Sequence, residues 1–183
     1  MKKPYVFAVS LGLLLSGFLA SAQDRPSAAS DAKALEAGTY HIRNVKFRDL
    51  LRPENANGAN GTRIVLYSAQ PWKCMTWRLR PAGTSGFSLQ NLFTSKTFAA
   101  DAKKDQPQPA VTQIPLEVGT APVWQFTKLQ DGNYKISDAK SGQALTAVKA
   151  GKDSDAKIVT ELWRNQAEQK WELQPVDPQQ LTM

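Results

Sequence analysis

Gly132-Asn133-Tyr134-Lys135-Ile136 opens a stretch that Gln169-Lys170-Trp171-Glu172-Leu173 closes. In the opening, apolar Tyr134 and Ile136 alternate with polar Lys135 and Ser137. In the close, Trp171 and Leu173 alternate with Lys170 and Glu172. A period of two marks a strand with one face buried. Tyr134 and Trp171 stand 37 residues apart, and so do Phe87 and Trp124, and Tyr40 and Trp77. The pairs themselves recur every 47 residues. Other columns keep the step: Ile42, Leu89 and Ile136; Asn44, Asn91 and Asp138; Leu51, Phe98 and Leu145; Ile64, Val111 and Ile158. Leu79, Phe126 and Leu173 make another. The chain from 37 to 177 is therefore read as three repeats: 37–83, 84–130 and 131–177.

Each repeat reads as four short strands, in the first near Tyr40–Asn44, Leu50–Arg52, Arg63–Tyr67 and Thr76–Arg80. Turn formers such as the run Asn55 to Gly61, rich in Asn and Gly, separate them. No amphipathic pattern of helical length occurs between 37 and 177, so the class is all-β. Three repeats are too few for a propeller. A solenoid would show atypical capping repeats at its ends, whereas the first and last units here keep every column. A closed barrel with pseudo-threefold symmetry fits, with rings of Tyr40, Phe87, Tyr134 and the three tryptophans expected in its core.

The flanks read differently. Lys2 and Lys3, the apolar run Val6 to Leu19 and Ala20-Ser21-Ala22 have the form of a cleaved secretory signal peptide, 1–22. Export to a secreted or periplasmic location, cleavage after Ala22 and a mature chain without a membrane span are the expectations. Residues 23–36 read as a flexible leader and 178–183 as a tail without order. Cys74 is the sole cysteine, so no internal disulfide can form. Its counterparts Ala121 and Glu168 place it near the surface, as an idle thiol or, alternatively, one half of an intermolecular bridge. Loss of Lys2 and Lys3 takes the formal charge from +7 to +5. Repeat one holds eight Lys/Arg against two Asp/Glu, and so carries nearly all the excess.

Residues for catalysis are scarce. The single histidine, His41, falls between inward Tyr40 and Ile42, and is expected to face solvent. One His and one Cys make no His/Cys metal cluster. Ala150-Gly151-Lys152-Asp153 lacks the earlier glycine (Thr146 stands there) and the Ser/Thr of a phosphate loop. Asp101, Asp105 and Asp153 read as solvated turn residues. The expectation is a protein that is no enzyme and needs no cofactor or metal.

Gly38-Thr39-Tyr40-His41-Ile42-Arg43-Asn44 followed by Gly61-Thr62-Arg63-Ile64-Val65-Leu66-Tyr67 resembles the ricin B-type lectin repeat, as does Tyr134 to Leu145. The family hallmark Q-x-W is present as Gln169-Lys170-Trp171. Met75-Thr76-Trp77 and Pro122-Val123-Trp124 keep the Trp and lose the Gln. The resemblance implies a β-trefoil and sugar binding, without contact to nucleic acid. It also implies structural roles for Trp77, Trp124, Gln169 and Trp171. In the family a sugar-binding Asp follows the second-strand Leu and a stacking aromatic ends the third strand. Here those positions hold Arg52, Ala99 and Thr146, and Tyr67, Ile114 and Glu161. The usual galactose-type site is thus intact in no repeat.

Trp72 and Trp163 stand outside the core columns, where a loop tryptophan serves either as a stacking platform or as cover for the barrel. The candidate ligand-binding set is Arg52, Tyr67, Trp72, Lys73 and Trp163. Arg52 in place of the acid favours sialylated, uronic or sulfated glycans over neutral galactosides. The alternative is a protein-binding trefoil, such as a protease inhibitor or a targeting subunit of a secreted assembly. The loop Lys103-Lys104-Asp105-Gln106-Pro107-Gln108-Pro109 is its candidate contact.

Overall fold

The computed structural model describes residues 35–101, 108–149 and 155–182. Residues 1–22, read as a signal peptide, most of the segment read as a leader, Lys103 to Pro107 and Gly151 to Ser154 lie outside them.

Twelve strands follow one another in three groups of four. The first group is β1 (Gly38–Asn44), β2 (Leu50–Pro53), β3 (Ile64–Tyr67) and β4 (Thr76–Ala82). The second is β5 (Gly86–Asn91), β6 (Thr97–Ala100), β7 (Val111–Ile114) and β8 (Trp124–Lys128). The third is β9 (Tyr134–Asp138), β10 (Ala144–Val148), β11 (Lys157–Glu161) and β12 (Lys170–Pro175).

First and fourth strands pair antiparallel in the cycle β1–β4–β5–β8–β9–β12–β1, which closes a six-stranded barrel with no free edge. The second and third strands form the hairpins β2–β3, β6–β7 and β10–β11. The third strands meet one another in turn, through Lys157 opposite Val65, Arg63 opposite Thr112 and Ala110 opposite Val159. A barrel capped by a triangle of hairpins is a β-trefoil. Among the described residues no helix is long and apolar enough to cross a membrane.

The columns of the repeat have physical jobs. Trp77, Trp124 and Trp171 are fully buried, and each indole N–H donates to the backbone carbonyl 26 residues upstream: Leu51, Phe98 and Leu145. Those three acceptors are themselves buried and lie one repeat apart. Phe98 packs edge-on against Trp77 at 4.9 Å and tilted on Trp124 at 5.0 Å, which joins two repeats through one ring. At about 25 cal/mol per Å², an aromatic burying 150–250 Å² contributes about 4–6 kcal/mol.

The Asn44 column closes the tight connection after each first strand. Asn44 accepts from the N–H of Lys46 and Phe47, Asn91 from Phe93 and Thr94, and Asp138 from Lys140 and Ser141. Four residues after each column member, the backbone turns left-handed at Arg48, Ser95 and Gly142, with φ of 64°, 58° and 72°. Only the third repeat places glycine at this turn, where it costs least.

Several expectations need correction. Tyr40, Phe87 and Tyr134 are half-buried rather than core rings. The register explains it for Tyr40, which lies opposite Trp77 on one side and Pro175, at the end of β12, on the other. Cys74 is buried, not superficial, because the turn Lys73–Met75 folds it inward beside Leu50 and Met75. The tail is ordered through Thr182. Asp177 caps a turn at Pro178–Gln180, and Thr182 exchanges backbone hydrogen bonds with Pro71 and Lys73. From the leader, Leu35 packs against the core.

Candidate ligand-binding site

Arg52, Tyr67 and Trp72 come together at one end of the β2–β3 hairpin, because Arg52 and Tyr67 lie on adjacent strands and the next loop returns over them. Arg52 is 6% exposed, a burial that its place on a strand flanked by polar turns did not signal. Its guanidinium carbon lies 3.7 Å above the centre of the Tyr67 ring. Tyr67 in turn stacks with Trp72 at 6.1 Å and 27°. The Tyr67 face that Arg52 covers is therefore closed to a sugar, so Tyr67 supports the arginine rather than offering a free platform.

Beside this stack opens a cleft of about 280 Å³ lined by Arg52, Ala56, Trp72, Cys74 and Phe93. Phe93 is 47% exposed and belongs to the neighbouring repeat, in the turn after β5. Arg52 Nε is buried without a hydrogen-bond partner, and no carboxylate pairs with Arg52 among the described residues. Burial pushes the Cys74 thiol upward, and the charge of Arg52 opposes that shift. Lys73 is exposed next to Trp72, with its backbone held by Thr182, and does not line the cleft.

The loop carrying Trp72 is held from beneath. His41 is half-buried rather than free in solvent, with Nε2 3.1 Å from Thr76 Oγ1. The Thr76 hydroxyl donates to the Trp72 carbonyl. That hydroxyl has one proton, so His41 Nε2 carries the hydrogen of the first contact. Burial lowers the pKa of His41, which keeps the ring neutral.

The corresponding place in repeat three has a different chemistry. Thr146, Glu161 and Gln166 occupy the positions of Arg52, Tyr67 and Trp72, two repeats on. They line a polar pocket of about 410 Å³ together with Lys149, Arg164 and Gln169. Glu161 is 5% exposed, and its carboxylate accepts from Arg164 and Gln108. Gln169 donates to the Leu162 carbonyl at 2.8 Å and to Thr146 Oγ1 at 3.2 Å, and accepts from the Arg164 N–H at 2.7 Å. Repeat two has Ala99 and Ile114 at the matching strand positions.

Trp163 belongs to neither place. It is half-buried, has Lys135 Nζ 5.6 Å from its ring centre, and lines a separate groove with Asp131, Asn165 and Lys170. Sequence reasoning missed Phe93 and the meeting of Arg164 and Gln108 at Glu161. Phe93 had a readable signal, since its counterparts Lys46 and Lys140 are charged and an aromatic breaks that column. Arg164 and Gln108 gave none, because what matters is their meeting at Glu161.

The family described as ricin-type β-trefoil lectin domain-like matches residues 120–183. Among solved structures the designed threefold-symmetric protein ThreeFoil is similar, with 24% identity and a TM-score of 0.69, over 76% of this chain and 99% of that one. The Rhizoctonia solani agglutinin has 22% identity and a TM-score of 0.68, over 78% and 98%. The earthworm lectin C-terminal domain mutant, solved with 6'-sialyllactose, has 16% identity and a TM-score of 0.60, over 76% and 99%. No curated protein matches the sequence. The chain is a β-trefoil whose last third carries the pattern of the ricin-type β-trefoil lectin domain-like family.

Proposed function

We propose that this protein is a non-catalytic carbohydrate-binding module of the ricin B-type lectin kind, exported by cleavage after Ala22, with a modified site and a preference for acidic glycans. One observation supports the reading: clefts open in repeats one and three beside the second-strand positions, Arg52 and Thr146, where the family resemblance implies a sugar-binding residue. The repeat-three pocket presents a carboxylate, amides and a guanidinium, which suit the hydroxyls of a sugar ring. The repeat-one cleft adds the cation. A buried cation without a counter-charge is costly, and an acidic ligand relieves that cost. Trp72 and Phe93 supply the apolar faces against which a ring can pack.

The test is a glycan array probed with the chain from residue 23 onward, as wild type and as Arg52→Ala. Acidic glycans as a class should bind above neutral ones, and Arg52→Ala should weaken them about tenfold or more, the scale of a lost charge-assisted hydrogen bond. Equal binding of acidic and neutral glycans would remove the acidic preference. No binding to any glycan at high protein concentration would contradict the module itself.

A further inference from the structure

The lining of the repeat-one cleft restricts its ligand further than charge alone. Arg52 is the sole charged residue among the five that line it; Ala56 and Phe93 offer no hydrogen-bonding side chain, Cys74 a weak one and Trp72 a single indole N–H. The guanidinium is held over Tyr67 and buried, yet its Nε has no partner. Its polar neighbour in the cleft is the Cys74 thiol, which is no counter-charge, and buried charges in proteins are paired, so this one is incomplete. A guanidinium edge matches the two oxygens of a carboxylate. A sulfate or phosphate would bring further oxygens into a wall whose one other strong donor is the Trp72 indole N–H. Hydroxyls packed against Trp72 and Phe93 would likewise lose water without replacement.

From this we propose that the repeat-one cleft takes a single carboxylate carried on a small apolar body, with Arg52 meeting the carboxylate and Trp72, Phe93 and Ala56 enclosing the rest. The inference rests on the reading of Arg52 as an anion receptor and narrows it. At about 280 Å³ the cleft lies at the lower edge of ligand pockets, and holds roughly nine water volumes of about 30 Å³ each. A short-chain or aromatic carboxylate fits. Among sugars, the requirement is met by a carboxyl on a methyl-bearing substituent, such as a lactyl ether or a pyruvyl ketal. The ring carboxyl of a uronic acid, flanked by hydroxyls, meets it poorly. Phe93 comes from the neighbouring repeat, so the cleft is assembled only in the folded trefoil.

Titration calorimetry on the full mature chain with benzoate, hexanoate, hexanamide and glucuronate tests the proposal, with Trp72 fluorescence as a second readout. Benzoate and hexanoate should bind saturably, at least about tenfold more tightly than uncharged hexanamide and than glucuronate. Arg52→Gln and Trp72→Ala should each abolish that binding while their far-UV spectra and unfolding midpoints show folded protein. Arg52→Lys, which keeps the charge and loses the fork, should weaken it. Glucuronate binding as tightly as hexanoate would overturn the proposal and leave the acidic-glycan reading intact. Failure of all three carboxylates would overturn both at this cleft. Hexanoate binding that survives Arg52→Gln in folded protein would overturn the proposal as well.

Discussion

In the proposed site, Arg52 sets anion binding against the stability of the fold. Its contact with Tyr67 is worth about 0.5–2 kcal/mol, against a desolvation penalty of several kcal/mol for a buried ion without a counter-charge. Arg52→Met is therefore expected to leave the urea midpoint unchanged or to raise it. A clear fall would mean that the cation is structural. Gln169 has the opposite character. It is fully buried and ties down the carbonyl of Leu162 and the N–H of Arg164, so Gln169→Ala should cost about 1–3 kcal/mol in the same measurement. Loss of ligand binding at unchanged stability would instead assign Gln169 to the site. His41 adds a pH dependence. Its folded pKa is lowered by burial, so the unfolded chain binds the proton more readily. The contribution is fully present above the ordinary histidine value of about 6.5 and is lost as pH falls through that value toward the folded one. His41→Gln should flatten the urea midpoint between about pH 7 and pH 5 relative to wild type. Alternation in the sequence predicts which way a side chain faces; it puts His41 outward, and the ring is half-buried because alternation is silent about what a later loop lays over the outward face.

At the scale of elements, the sequence is a reliable guide wherever a column repeats. The four strands expected in repeat one match β1 to β4 within two residues at each end, because a half-buried strand must alternate. The single turns of 3₁₀ helix at Lys73–Met75 and Ala167–Gln169 were not legible. Each is three residues long, too short to show a helical period. The tryptophan column gives the sharpest test of the threefold reading. Trp77→Ala, Trp124→Ala and Trp171→Ala should each cost about 3–5 kcal/mol, measured by denaturant unfolding. A small loss at one of them would show that its repeat does not share the core. The tail was misjudged because its order comes from pairing with a distant loop rather than from its composition. The Lys73 N–H donates to Thr182, so removing residues 178–183 should speed amide exchange at Lys73 while leaving the Trp77 amide protected.

For the whole molecule, closure of the barrel explains why the period was so plain. Each repeat supplies two staves and one cap hairpin, so every unit faces the same packing problem and keeps the same apolar residues. A ligand imposes no such symmetry. Arg52, Trp72 and Phe93 are each exceptions to their columns, and only the trefoil brings them to one cleft. That separation of roles can be read in one spectrum. The side-chain N–H signals of the five tryptophans report the core through Trp77, Trp124 and Trp171, and the surface through Trp72 and Trp163. An ¹⁵N-correlated titration of the chain from residue 23 onward with a sialylated glycan should move the Trp72 indole signal and leave the three core signals in place. Titration to saturating glycan with no movement of Trp72, or movement of Trp163 alone, would contradict glycan binding at repeat one.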